Sequence, residues 1–122
     1  MIELGKGNVA VDKSFELALG IIDFTELLSK QGKIVVAKQL LRSGTAPSAL
    51  VAESQHAESK ADFIHKMKIA LKETNETHYW LTLCNKSPHL PEDLKLKNLC
   101  EEVIKILSKI IVSSKGINNN VN

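Results

Sequence analysis

Aromatic residues are scarce in this chain of 122 residues, which has three Phe, one Tyr and one Trp. Its apolar content comes instead from Leu, Ile, Val and Ala, a set suited to packing helix on helix. Long apolar runs are also missing. The longest, such as Leu17 to Ile22, are broken by Gly or charge well before the roughly 20 residues that a bilayer span needs, so no membrane partner is expected. No charged stretch, apolar stretch and small-residue cleavage site open the chain, and a cytoplasmic location is expected. There are only two cysteines, Cys84 and Cys100. On neighbouring antiparallel helices they fall about 10 Å apart along the axis at 1.5 Å per residue, whereas a disulfide needs Cα atoms within about 7 Å. Two buried, reduced thiols are therefore expected. A Gly-x-x-x-x-Gly-Lys-Ser/Thr loop is absent, and Ser43-Gly44-Thr45 follows no strand, so no phosphate cradle is expected there.

What is present is a balanced, soluble composition, 43% apolar and 25% charged, in a length that suits one domain over residues 1–122. Apolar residues recur at helical spacing in four segments. The first is expected from Asp12, as N-cap, to Lys30, with Gly32 ending it and Phe15, Ala18, Leu19, Ile22, Thr25 and Leu28 as its core stripe. Residues 1–11, with Gly5, Gly7 and Asn8, read as a loose arm. The second starts near Lys33, carries Ile34, Ala37, Leu40 and Leu41 on one side, and is expected to bend at Gly44 and Pro47 before ending near Ala57. Ser59 and Asp62 form an N-cap pair for the third, whose stripe is Phe63, Met67, Ala70, Leu71, Thr74, His78, Leu81 and Cys84. Ser87 to Pro91 is a loop, with Pro91 placed to open the fourth helix. That helix carries Leu96, Leu99, Val103, Ile106, Leu107 and Ile110 and is expected to stop at Gly116, leaving 117–122 as a frayed tail. Short connections make neighbours antiparallel, giving an all-α, up-down-up-down four-helix bundle. Ile69, Trp80, Ile104 and Ile111 fall off these stripes and invite a contact between subunits.

The net charge of +2 hides an asymmetry. Residues 1–29 hold two lysines against five acids, residues 30–72 hold eight Lys or Arg against three acids, and the rest balances at six against six. A locally basic middle suggests an anionic partner, with Lys38, Arg42, Lys60, Lys66 and Lys68 as candidate nucleic-acid contacts. A metal centre is the competing reading. Glu53 with His56, and Asp62 with His65, repeat the i, i+3 pairing of di-iron bundles. Both pairs flank a turn at a bundle end, and Glu16, Glu26, Glu101 and Glu102 do not obviously converge on it, so no metal or other cofactor is expected. Glu73 and Glu76 beside His78 resemble an acid–base pair, but ion pairing such as Lys72 with Glu76 explains them more simply. Tyr79 and Trp80 could stack on a base, though packing is the simpler role. No catalytic residue and no small-molecule substrate are expected.

Several blocks between Leu40 and Leu81 carry a likeness: Leu40-Leu41-Arg42-Ser43-Gly44-Thr45, Ala52-Glu53, Ala57-Glu58-Ser59, Asp62-Phe63-Ile64-His65-Lys66-Met67, Ile69-Ala70-Leu71-Lys72-Glu73, Glu76-Thr77 and Tyr79-Trp80-Leu81. They resemble the centre of the four-helix-bundle proteins named after the 23S ribosomal RNA intervening sequences. The resemblance implies the same bundle, a bent second helix and a homo-oligomer, expected to be a pentamer. It implies association with ribosomal RNA or another nucleic acid, or a role as a protein-interaction scaffold or accessory subunit, and no established catalytic act. Leu50 stands where the family commonly has Asn, and Pro47 where it has an apolar residue, so no binding role is carried through that run. Arg42 and Glu53 match the pattern and are expected to pair near the bend.

Overall fold

A computed structural model describes residues 8–121, with side chains as far as Gly116. It contains α1 (Val9–Lys30), α2 (Ile34–Ser54), α3 (Lys60–Lys86) and α4 (Leu94–Val121), and no strand among the described residues. Each helix packs on its neighbours in sequence, α1 also packs on α4, and the diagonal pairs do not meet. This is the antiparallel up-down-up-down bundle, with a single core on its axis.

The helix ends show which local signals act. Asn8 caps α1, its Oδ1 accepting from the Val11 N–H at 3.1 Å, so the helix starts at Val9 rather than at Asp12. Residues 8–11 of the expected arm are thus structured, and residues 1–7 lie outside the described residues. Gly32 ends the α1 turn as expected: its φ of +77° is in the left-handed region, which lets the Lys33 N–H reach the Leu28 carbonyl at 2.9 Å. Helix α2 continues through Pro47 and ends at Ser54, three residues short of Ala57. Ser59 caps α3 through the Asp62 N–H at 3.0 Å, while Asp62 Oδ2 accepts from the Glu58 N–H at 3.1 Å, close to the expected reciprocal pair. At α4 the cap is Asp93, whose Oδ1 accepts from the Leu96 N–H at 2.8 Å; Pro91 precedes the helix instead of opening it. Gly116 lies inside α4, and the tail expected from Ile117 is helical to Val121, with Asn122 outside the described residues.

The core corrects the α1 stripe. Leu17, Ile21, Phe24 and Leu28 are buried with Ala10, Val11, Ser14, Ala18 and Thr25, whereas Phe15, Leu19 and Ile22 are 42%, 51% and 48% exposed. Apolar residues recur at helical spacing on two faces of α1, and only the one joined to Ser14 and Thr25 turns inward. Ser14 is accommodated because its hydroxyl donates to the Ala10 carbonyl at 2.6 Å, satisfying the group within its own helix. On α2, Ala37 and Leu40 are buried as expected, but Ile34 and Leu41 are exposed. The stripes of α3 and α4 hold, with Thr77, Cys100 and Ile111 added to the buried set and His78 only partly covered. Ile111 therefore packs in the core, and Trp80 and Ile104 are partly buried against it. Both cysteines are free and fully buried. Burial pushes the Cys100 thiol up to about 12, and its Sγ lies 3.4 Å from the Thr74 carbonyl oxygen.

Candidate nucleic-acid interface

Helix α3 presents different chemistry on its two flanks. Toward α2, the buried Thr77 hydroxyl donates to Ser43 Oγ at 3.0 Å, and Arg42 reaches across to the carboxylates of Glu73, at 3.0 Å, and Glu76. Trp80 Nε1 donates to the same Glu76 oxygen at 3.1 Å and sets its ring edge-on to the exposed Tyr79, 5.2 Å between centroids. Arg42 is thus paired with Glu73 and Glu76, not with Glu53, and Glu76 is held by Arg42 rather than by Lys72. A fork of guanidinium donors between two carboxylates is a good spacer between helices. Half exposed as this one is, it contributes modestly to stability.

Toward α4, His78 Nε2 lies 2.8 Å from Glu101 Oε2, and Lys97 approaches the same oxygen at 3.9 Å. The hydrogen bond from His78, then the charges of His78, Lys97 and Lys105, hold the Glu101 carboxyl below its ordinary value of 4.5. Asp62 is lowered in the same way by the Glu58 N–H and by Lys66. A carboxyl depressed in the folded state stabilises above its unfolded pKa, and that stability is lost as pH falls through the folded value. Thermal melts from roughly pH 6 down to pH 3 are therefore expected to show a falling Tm on the acid side of the carboxylate range. His78→Ala, which removes the main cause at Glu101, should make that fall shallower. An acid limb unchanged by the substitution would show that the pair carries none of it.

The five candidate contacts do not converge on one patch. Lys38 and Arg42 lie a turn apart on α2, and Arg42 is engaged on the α2 flank of α3. Lys66 pairs with Asp62 at 3.4 Å. Lys60 is exposed at the start of α3. Lys68 is on the other flank, near Lys115 on α4, and the two ammonium groups oppose one another, lowering the Lys115 pKa. Lys38, Lys60 and Lys68 have no acidic partner among the described residues. Lys115 escaped the sequence reading because residues 73–122 balance in total, although every acid in them precedes Val103.

The competing metal site does not assemble: among the described residues no group of three or more His, Cys, Asp or Glu side chains is placed to hold an ion. Glu53, His56 and His65 are exposed around the α2–α3 turn, and Asp62 is engaged with Lys66 and the Glu58 backbone. No helix among the described residues is long and apolar enough to cross a membrane.

The model of one protein family, the 23S rRNA-intervening sequence proteins, matches residues 6–109. The chain belongs to this family. The match covers α1, α2, α3 and most of α4, so it rests on the whole bundle and not only on the central motif. A crystal structure of a Bacteroides thetaiotaomicron protein with unknown function, from the S23 ribosomal protein family, is similar at 42% identity and a TM-score of 0.79. The similarity covers 84% of this chain and 98% of that one. No curated protein matches. The structural relative thus shares the fold of this chain and is itself without an assigned function.

Proposed function

We propose that this chain is a non-enzymatic, self-associating protein that binds RNA, ribosomal RNA in the first instance, in the cytoplasm. The observation that carries the reading is the set of exposed lysines, Lys38, Lys60 and Lys68, with no ion pair among the described residues. Arg42 and Lys66 lie elsewhere on the bundle with their charge already shared, which orients them and weakens their pull on a phosphate. The family's association with ribosomal RNA sequences supports the choice of polyanion.

Self-association supplies the affinity that a few lysines lack. Phe15, Leu19 and Ile22 on α1 and Ile34 and Leu41 on α2 leave an apolar face uncovered, and covering it with a second copy is the simplest use for it. A ring, expected to be a pentamer, repeats each basic patch around its axis, and weak sites on one rigid body combine.

The experiment is binding of the purified protein to ribosomal RNA and to an unrelated RNA between about 50 and 200 mM salt. Affinity is expected to fall steeply across that range, and preference for ribosomal RNA would establish specificity. No binding at the low-salt end would overturn the reading in favour of a protein-interaction scaffold or accessory subunit.

A further inference from the structure

We propose that the RNA backbone is held on the outer seam between α3 and α4, where Lys68 and Lys115 stand as a paired phosphate site flanked by Lys72 and Lys105. This inference rests on the RNA reading above and names the surface that performs it, including three lysines outside the candidate set.

The seam follows from where the acids are. Helices α3 and α4 contain five acids, and each has a partner: Asp62 has Lys66, Glu73 and Glu76 have Arg42, Glu101 has His78 and Lys97, and Glu102 has Lys13 at 3.0 Å. After Glu102 the rest of α4 has no acid at all, while Lys105, Lys109 and Lys115 follow. The contacts of His78 with Glu101 and of Cys100 with Thr74 run the two helices antiparallel. The acid-free end of α4 therefore returns alongside the first half of α3, where Lys68 and Lys72 sit one turn apart.

The faces agree. The antiparallel run brings the Lys115 end of α4 back beside the Lys68 end of α3, near enough for the two charges to oppose one another. Lys105 acts on Glu101, which itself faces α3. Lys109, one turn beyond Lys105, borders a hollow at the bundle end lined by Asn8, Val9 and Phe63 and is not counted among the four. Lys68, Lys72, Lys105 and Lys115 are all exposed, with no ion pair among the described residues. Two ammonium groups close together repel, and a phosphodiester placed between them converts that repulsion into two charge-assisted bonds. Neighbouring phosphates of the same strand would then meet Lys72 and Lys105. Such contacts read charge, not base identity.

The test uses the full chain and a labelled oligouridylate, titrated across a salt series. Neutralising the pair, Lys68→Gln with Lys115→Gln, is expected to weaken binding and to lower the slope of log K against log salt by about 0.7, the value for one lost phosphate on a single strand. Lys33→Gln with Lys86→Gln removes the same charge away from the seam and should leave the slope near that of the unsubstituted protein. Equal losses from the two pairs would overturn the seam while leaving RNA binding as a diffuse charge effect. An unchanged slope in the first pair would place the phosphates elsewhere, and no binding by the unsubstituted protein would remove both the seam and the RNA reading. All four side chains are at least partly exposed, so far-ultraviolet circular dichroism should report intact helices in both variants.

Discussion

Gly44→Val is expected to destabilise the bundle by about 1–3 kcal/mol, the usual cost of forcing extra methyl groups into a filled core. A Cβ built at Gly44 meets Cγ1 and Cγ2 of Ile21 at 2.6 and 2.7 Å and its Cβ at 3.0 Å. Ile21 is fully buried and β-branched, so it has no free rotamer into which to retreat, and α1 and α2 must separate. Helix propensity points the other way, since Gly inside a helix costs about 1 kcal/mol relative to Ala. The sign of Gly44→Ala is therefore set by the clash, and it too should destabilise. Thermal melts check this, at roughly 4 °C of Tm per kcal/mol for a chain of this length. Combining Gly44→Val with Ile21→Ala should recover part of the loss, because each change removes what the other opposes. A Gly44→Ala protein with a raised Tm would mean that the helices have room to spare there.

Leu19→Glu with Ile22→Glu is expected to break the oligomer into folded monomers. These side chains are about half exposed on the isolated chain, on the face of α1 turned away from the core, so the charges should not disturb folding. In an assembly that covers this face they would be buried without partners, at a cost larger than most subunit contacts return. Light scattering on the eluting protein should show one mass for the unsubstituted chain and a single protomer for the variant, with helicity retained. An assembly that survives the substitution would move the contact to another apolar site, such as Tyr79 with Leu83 or Leu94 with Val112. A monomeric unsubstituted chain would end the self-association proposal.

Much of the architecture was legible because its signals are local. Gly32 must adopt positive φ to reverse the chain, and Ser59 with Asp62 satisfies the first donors of α3; both are readable from residue type and spacing alone. Which of two apolar faces turns inward was not legible on α1. Phe15-Leu19-Ile22 and Leu17-Ile21-Phe24-Leu28 have the same period, and the choice depends on what α2 and α4 present. The partners of Arg42 were hidden for a related reason. Glu53 is closer in sequence, but Glu73 and Glu76 are brought across by the packing of α3 on α2. The basic seam was obscured by summation: six cations against six acids looks neutral until the fold separates the acid-bearing start of α4 from its acid-free end.

The two buried thiols give this molecule a built-in clock. Alkylating reagents attack the thiolate, and in the folded chain Cys100 is both sealed from solvent and protonated far above neutral pH. Cys84 is sealed as well and sits across the α3–α4 contact in the same core. Neither sulfur can react until the helices part, so the rate at which label accumulates counts openings of the native state. Any ligand that holds α3 against α4 would slow that count, which turns the cysteines into a reporter of occupancy in unpurified extracts, without a tag or an added fluorophore.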